Sequence, residues 1–168
     1  MLWLEIFTGV KPWLLFLGYR QWRTLNPKTA KTSGDDKKQM ERLKKWQTSW
    51  TKAEQEDKPL LILGDMNIGV TTWLNPASTE TAYQYSRKTF LNQLKDMANM
   101  TNLELLKTGP TRQQGKAQPS TLDLSFTNMP QLISSPELYT STSDHSIIVL
   151  NKTSKWKQGN LPVRKGRS

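Results

Sequence analysis

A carboxylate and a carboxamide stand two positions apart just after a short aliphatic run. Asp65 and Asn67 follow the residues Leu60–Leu63 and the small residue Gly64. If the extended geometry persists past the glycine, both side chains project to the same side of the sheet. The rim at the carboxyl ends of strands is where open α/β sheets usually bind ligands, so this pair predicts a site. Gly-Asp followed by Asn is also ordinary turn chemistry, and that interpretation stays open.

The only histidine of the chain lies at the start of another apolar segment. Ser143, Asp144 and His145 precede the aliphatic run 147–150, so a strand is predicted over 146–150. A histidine flanked by an aspartate and close to other strand-end carboxylates is a candidate acid, base or phosphate partner. A lone histidine is more often structural or simply exposed, which is the alternative here.

A third acidic residue lies in a segment whose side chains alternate between apolar and polar. The segment 121–127 contains the apolar row Leu122, Leu124 and Phe126 and the polar row Asp123, Ser125 and Thr127. Period two is typical of a strand with one buried face, so we expect the polar row to face away from the core. An exposed Asp123 is the simplest interpretation, although strands tend to avoid Asp.

The elements that must position these residues are short strands and two amphipathic helices. The unbroken aliphatic run predicts that the strand over 60–63 is buried on both faces. Two further apolar runs, Leu2–Phe7 and Trp13–Tyr19, predict a hairpin. A short strand is predicted over 103–106, and polar loops over 21–34 and 69–80. Helices are predicted over 36–55 and 86–100, with the apolar stripes Met40, Leu43, Trp46 and Trp50, and Phe90, Leu91, Leu94, Met97 and Ala98.

Composition limits the class of protein. A chain of 168 residues with 35% hydrophobic residues is long enough for one domain with a core, here residues 1–150, followed by a basic tail or linker over 151–168. The absence of cysteine excludes disulfides, thiolate zinc sites and cysteine nucleophiles. The formal charge of +10 favours a polyanionic partner such as nucleic acid, with an anionic membrane surface as the competing interpretation. Neither N-terminal apolar run is long enough to cross a bilayer, and a signal peptide fits poorly.

Four short motifs, each at a predicted strand end, occur in an order that resembles a known superfamily. They are Tyr19-Arg20, Gly64–Asn67, Ser120–Asp123 and Ser143–His145. In this order they resemble the endonuclease/exonuclease/phosphatase superfamily. More narrowly, the segment 119–128 is similar to the endonuclease domain of non-LTR retrotransposons, the branch resembling apurinic/apyrimidinic-site endonucleases. The resemblance implies an α/β (α+β) fold of the DNase I-like type, a four-layer sandwich of two mixed β-sheets flanked by helices.

The resemblance also implies Mg²⁺-dependent hydrolysis of a phosphodiester by water. Asp65 would be the base, Asn67 would hold the water or a phosphate oxygen, and His145 would donate to the phosphorane. Asp123 would orient His145 and stabilise its charged form. Further implied contacts are Tyr19 with the phosphate, Arg20, Thr111 and Ser120 with phosphate or substrate, and Asp144 with Asp65 at the metal, which would be Mg²⁺ or alternatively Mn²⁺.

One departure from the family pattern leaves the activity open. Members of the family begin with a strand that ends in a metal-proximal Asn and a second strand followed by a metal-ligating Glu, and both would precede Met1. Glu5 does not match that ligand, so the fold is expected to lack its first strands. Three hypotheses follow: a DNA nickase of retrotransposon origin or its inactive descendant, a related lipid, inositol phosphate or RNA phosphoesterase, and a non-catalytic nucleic-acid-binding remnant.

The expected partners are DNA and an upstream or reverse-transcriptase segment of a larger polyprotein. We expect no membrane association and no secretion, and a nuclear location if the element is eukaryotic.

Overall fold

The computed structural model describes residues 1–7, 11–20, 33–67, 82–113, 115 and 119–153. Within these ranges the strands are β1 (Leu2–Phe7), β2 (Pro12–Tyr19), β3 (Leu60–Asp65), β4 (Glu104–Leu106), β5 (Asp123–Thr127), β6 (Glu137–Tyr139) and β7 (Ile147–Val149). The helices are α1 (Ser33–Glu54) and α2 (Ala82–Met100), and a 3-10 turn covers Pro130–Leu132. The predicted loop 69–80 and most of the predicted tail lie outside the described residues. Neither α1 nor α2 is long and apolar enough to cross a membrane.

Five of these strands form one mixed sheet in the order β1-β2-β3-β5-β4. The predicted hairpin is confirmed, because β1 and β2 pair antiparallel with Phe7 opposite Pro12. The strands β2 and β3 are parallel, and α1 lies between them in the chain, as a parallel connection requires. The strand β5 then pairs antiparallel with both β3 and β4. A separate antiparallel pair is formed by β6 and β7, so the α/β class is confirmed and the second sheet has two strands in the described residues.

Both helices pack against one face of the large sheet. Their predicted apolar stripes are confirmed, since Trp50, Leu91 and Leu94 are fully buried. On the sheet side the contacts come from Phe16, Ile62, Leu124 and Phe126. The ring of Trp50 meets that of Phe16 edge to face, with 5.6 Å between the centroids. Aromatic rings in this arrangement add to the stabilisation from burial alone, so this face is the closed core of the domain.

The opposite face of the sheet is only partly covered. The side chains of Leu61 and Leu63 are half-buried, so the prediction that β3 is buried on both faces is wrong for this face. Between this face and the segment after His145 lies a cavity of about 480 Å³, which the side chains of Leu17, Leu61, Leu63, Ile148 and Leu150 line together with Asp65 and Asp123. The edge strand β1 exposes Leu2, Leu4 and Ile6 on the same side of the sheet.

The polar row of β5 does not face solvent as the alternation predicted. Ser125 and Thr127 are 1% and 0% exposed, whereas Asp123 is half-buried. The prediction of a single buried face is therefore wrong, because a buried hydroxyl is tolerated when it finds a backbone partner. Thr127 finds one, since its hydroxyl donates to the carbonyl oxygen of Leu60 at 2.7 Å.

A side-chain clamp next to Thr127 fixes the pairing of β3 with β5. The backbone N–H of Leu60 donates to Oδ1 of Asn128 at 2.7 Å, and Nδ2 of Asn128 donates to the carbonyl oxygen of Lys58 at 3.2 Å. These bonds hold the beginning of β3 against the end of β5 and set the register that runs from Leu61 opposite Thr127 to Asp65 opposite Asp123.

We expect Asn128→Ala to lower the free energy of unfolding by about 1–3 kcal/mol, because two partly buried backbone groups lose their partner. Urea unfolding followed by tryptophan fluorescence measures the change. The control is Asn151→Ala, which removes a bond from Nδ2 to Glu137 on the surface at 3.1 Å. That control should change stability by no more than about 0.5 kcal/mol. Equal losses of unfolding free energy in the two variants would contradict the stabilising role of the Asn128 clamp.

Candidate active site

The register of β3 and β5 brings two carboxylates directly opposite each other. Asp65 ends β3, Asp123 begins β5, and the two residues are cross-strand partners. Gly64 is required just before Asp65, because a Cβ atom there would collide with the backbone oxygen of Gly18 in the neighbouring strand. The glycine lets β2 and β3 approach closely at the end where the carboxylate emerges.

His145 joins these two carboxylates from a third segment. Its Nδ1 lies 2.9 Å from Oδ2 of Asp123, so an Nδ1–H bond to the carboxylate leaves Nε2 for a substrate. Asp65, Asp123 and His145 each offer an atom within 4.8 Å of the others. The backbone of His145 is also held, since its N–H donates to Oγ of Ser143 at 3.1 Å and its carbonyl accepts from the hydroxyls of Ser141 and Ser143.

Asn67 lies beside Asp65, but the strand does not continue to it. Its φ of 49° is left-handed, a conformation that Asn tolerates better than most residues, so the extended geometry considered from the sequence ends before Asn67. The turn lets the N–H of Asn67 donate to Oδ1 of Asp65 at 3.0 Å. Its side-chain amide donates to the carbonyl oxygen of Arg20 at 2.5 Å and is buried. Asn67 therefore ties the end of β3 to the end of β2.

Tyr19 and Arg20 reach the same rim from β2 but differ in exposure. Tyr19 is the cross-strand neighbour of Asp65, and its side chain is 60% exposed. The guanidinium of Arg20 lies 4.5 Å from the ring centroid of Phe90 and donates to the carbonyl oxygen of Asn67 at 3.3 Å. These contacts make Arg20 part of the packing around the rim.

Asp144 is adjacent to His145 in sequence but lies outside the group formed by Asp65, Asp123 and His145. Its carboxylate accepts a bond from Nε of Arg112 at 2.8 Å. The Arg112 guanidinium lowers the pKa of the Asp144 carboxyl below its ordinary value. Sequence reasoning missed Arg112, because one arginine in a polar loop carries no periodic signal.

The remaining predicted substrate residues, Thr111 and Ser120, lie on the two arms of a loop beside the site. Ser120 is half-buried and exchanges two backbone bonds with Arg112, both at 2.9 Å. Thr111 is completely buried. The hydroxyl faces the backbone of the segment that leads into β5.

Burial gives Asp65 the character of a base. Partial removal from water raises the pKa of its carboxyl above the ordinary value of 3.8, and the nearby charge of Asp123 raises it further. The bond from the N–H of Asn67 and the proximity of His145 act in the opposite direction. A carboxylate with a raised pKa accepts a proton from water more readily than an ordinary one.

Comparison with known families identifies the family of the chain. Residues 26–149, well over half of the chain, match the family model described as endonuclease-reverse transcriptase. The chain belongs to the endonuclease-reverse transcriptase family. Comparison with curated proteins finds no match. A solved structure similar to this member of the family is the endonuclease domain of TRAS1, a telomere-specific non-LTR retrotransposon, at 22% identity and a TM-score of 0.47. The match covers 88% of this chain and 59% of that one, so the chain spans 59% of that structure's length.

Among the described residues, the part that matches the endonuclease-reverse transcriptase family contains a group of three that can hold a cation. Two carboxylates and one imidazole, with atoms within 4.8 Å of one another, are donors of the kind that bind divalent ions. Hard cations such as Mg²⁺ prefer oxygen ligands and keep several waters, which suits the oxygens of Asp65 and Asp123. The Nδ1 atom of His145 already has Asp123 as its partner. The residues present therefore fit a cation held through the carboxylates.

The raised pKa of Asp65 has a direct consequence for stability. Because the fold disfavours ionised Asp65, the free energy of unfolding falls as the pH rises through the interval between 3.8 and the raised pKa. Above that interval the destabilisation is fully present. We therefore expect Asp65→Asn, which keeps an acceptor for the Asn67 N–H, to raise the melting temperature at neutral pH.

The comparison is made by thermal unfolding over a range of pH. The gain from Asp65→Asn should disappear at pH values below 3.8, where the wild-type carboxyl is protonated in both states. Asp96→Asn on the exposed side of α2 removes the same charge outside the site and is the control. A gain at neutral pH that the control reproduces would contradict the local origin of the effect.

Proposed function

We propose that this member of the endonuclease-reverse transcriptase family is a DNA endonuclease that nicks one strand by hydrolysing a phosphodiester bond. The observation that carries the proposal is the position of Asp65 directly opposite an Asp123–His145 pair whose atoms are 2.9 Å apart. Hydrolysis of a phosphodiester needs a base for the water and a donor for the charge on phosphorus. Asp65 is placed to act as the base, and His145 is placed to act as the donor.

Asp65 is the proposed base. It takes a proton from the attacking water, and its raised pKa strengthens that role. Asn67 holds the carboxylate by donating its backbone N–H to Oδ1 at 3.0 Å, so the base keeps one orientation. One N–H of its side-chain carboxamide donates to the carbonyl oxygen of Arg20, and the other is proposed to assist in holding the water or a phosphate oxygen.

His145 is the proposed donor to the phosphorane. Asp123 holds the ring through Nδ1, so that Nε2 is left to carry a proton toward the substrate. The exposed hydroxyl of Tyr19, beside Asp65 in the neighbouring strand, is proposed to donate to a phosphate oxygen. Arg20 and Ser120 are proposed to contact the phosphate or substrate around the same rim.

Mg²⁺, with Mn²⁺ as the alternative, is the proposed cofactor. A bound divalent ion would polarise the phosphate and offset the negative charge that grows on it. Asp65 offers the carboxylate for such an ion, and Asp144 is proposed to lie near it. In this structure Asp144 is held by Arg112 at 2.8 Å, so the two partners would share the carboxylate.

DNA is the proposed substrate because the chain carries a formal charge of +10. Backbone phosphates dominate the affinity of such proteins for nucleic acid, and that affinity falls steeply with salt. A reverse-transcriptase segment of a larger polyprotein is the proposed neighbour, in keeping with the name of the family.

The test is nicking of supercoiled plasmid with Mg²⁺. We expect His145→Ala and Asp123→Asn each to reduce the rate by about 10²–10⁴-fold, the usual contribution of a general acid or base, and EDTA to abolish nicking. The control Asp96→Asn should retain the wild-type rate. Loss of one negative charge near the rim also favours DNA binding electrostatically, so a gel-shift assay at fixed salt must accompany the rates.

Binding without nicking by well-folded wild-type protein, with full affinity retained in His145→Ala, would contradict the enzymatic proposal. That outcome would leave a basic nucleic-acid-binding protein descended from the same family. Nicking that persists in both site variants would also contradict it, since the proposed acid would then be dispensable.

A further inference from the structure

Thr111 makes hydrogen bonds to the chain segments on both sides of the Asp123–His145 pair. Its Oγ1 accepts the backbone N–H groups of Leu122 at 3.0 Å and Asp123 at 3.1 Å. A hydroxyl oxygen has two lone pairs, and these two donors occupy both. Thr111 is fully buried and Leu122 is 4% exposed, so water does not replace these bonds. The hydroxyl therefore fixes the start of β5, where Asp123 emerges.

The backbone of the same residue fixes the segment that carries the histidine. The carbonyl oxygen of Thr111 accepts the N–H of Ser146 at 2.7 Å, immediately after His145. One residue on, Arg112 forms an antiparallel bridge with His145, and the N–H of Gln113 donates to the carbonyl oxygen of Asp144 at 2.8 Å. The segment 111–113 thus lies between the two arms that bring the imidazole to the carboxylate.

We propose that Thr111 is a positioning residue that sets the separation of Asp123 and His145. Its hydroxyl holds one partner and its carbonyl holds the other, so one buried residue supports both sides of the 2.9 Å contact between them. This assignment replaces a role in phosphate contact, which complete burial of the side chain opposes. Its consequence for catalysis rests on the proposed function, whereas the contact itself can be measured without activity.

The direct test compares Thr111→Val, an isosteric change that removes the acceptor, with Thr111→Ser, which keeps it. His145 is the only histidine of the chain, so ¹⁵N-histidine labelling gives one imidazole whose hydrogen-bonded Nδ1–H proton is observed without assignment. We expect that proton signal to be lost by exchange in Thr111→Val and kept in Thr111→Ser. The nicking rate should fall by about 10²-fold in the first variant and recover in the second, because a displacement of about 1 Å costs that much.

The matched control is Thr101→Val at the end of α2. Thr101 is also buried, and its hydroxyl donates to the carbonyl oxygen of Met97 at 2.7 Å, outside the site. This variant tests whether removal of any buried threonine hydroxyl disturbs the imidazole signal through lower stability. We expect its Nδ1–H signal and its nicking rate to match the wild type.

Amide hydrogen exchange in the wild-type protein supplies a test that needs no variant. The N–H groups of Leu122 and Asp123 should exchange as slowly as those of residues 124–127 in β5, because Thr111 is their acceptor. Fast exchange at both amides, or an unchanged imidazole signal in folded Thr111→Val, would overturn the proposal. If the wild-type protein does not nick DNA while the imidazole signal responds as expected, the proposed function fails and the positioning role stands.

Discussion

The antiparallel pairing of β3 with β5 is the constraint on which the site depends. It places Asp65 directly opposite Asp123, where two like charges repel each other and destabilise the sheet. The repulsion is relieved locally by the N–H of Asn67 on one carboxylate and by the His145 ring on the other. At the opposite end of the pairing, the hydroxyl of Thr127 donates to the carbonyl oxygen of Leu60, and the N–H of Leu60 donates to Oδ1 of Asn128. These bonds keep the register that maintains this arrangement. The site is thus supported by contacts made a full strand length away.

Much of this arrangement is predictable from the sequence, because the patterns involved are local. Aliphatic runs predicted the central strand and the hairpin, and the helical period predicted the apolar stripe through Trp46 and Trp50 that is buried in the core. The proximity of Asp123 to His145 was expected only through the resemblance to a family, since 22 residues separate them and no periodicity links them. The observed strand boundaries differ from the predicted ones by one or two residues, at points where the chain turns.

The features that the sequence did not reveal share a physical cause, which is that polarity in a sequence does not show where a hydrogen-bond partner lies. Thr127 was expected on an exposed face, but its hydroxyl reaches the Leu60 carbonyl and is buried. The hydroxyl of Thr111 accepts two backbone N–H groups, and no local sequence pattern indicates this. Arg112 and Asp144 form an ion pair across 32 positions, which only the folded loop brings together. Partners distant in sequence decide each of these cases.

The half-covered face of the sheet has a consequence for the electrostatics of the site. Most of the side chains that line the cavity between β3 and the segment after His145 are aliphatic, and Asp65 and Asp123 line it too. A polypeptide segment or detergent that fills this cavity removes water from the two carboxylates as well as from the leucines. The lower local dielectric then strengthens both their mutual repulsion and their attraction for a cation. Covering the apolar surface therefore changes how strongly the two carboxylates attract a cation.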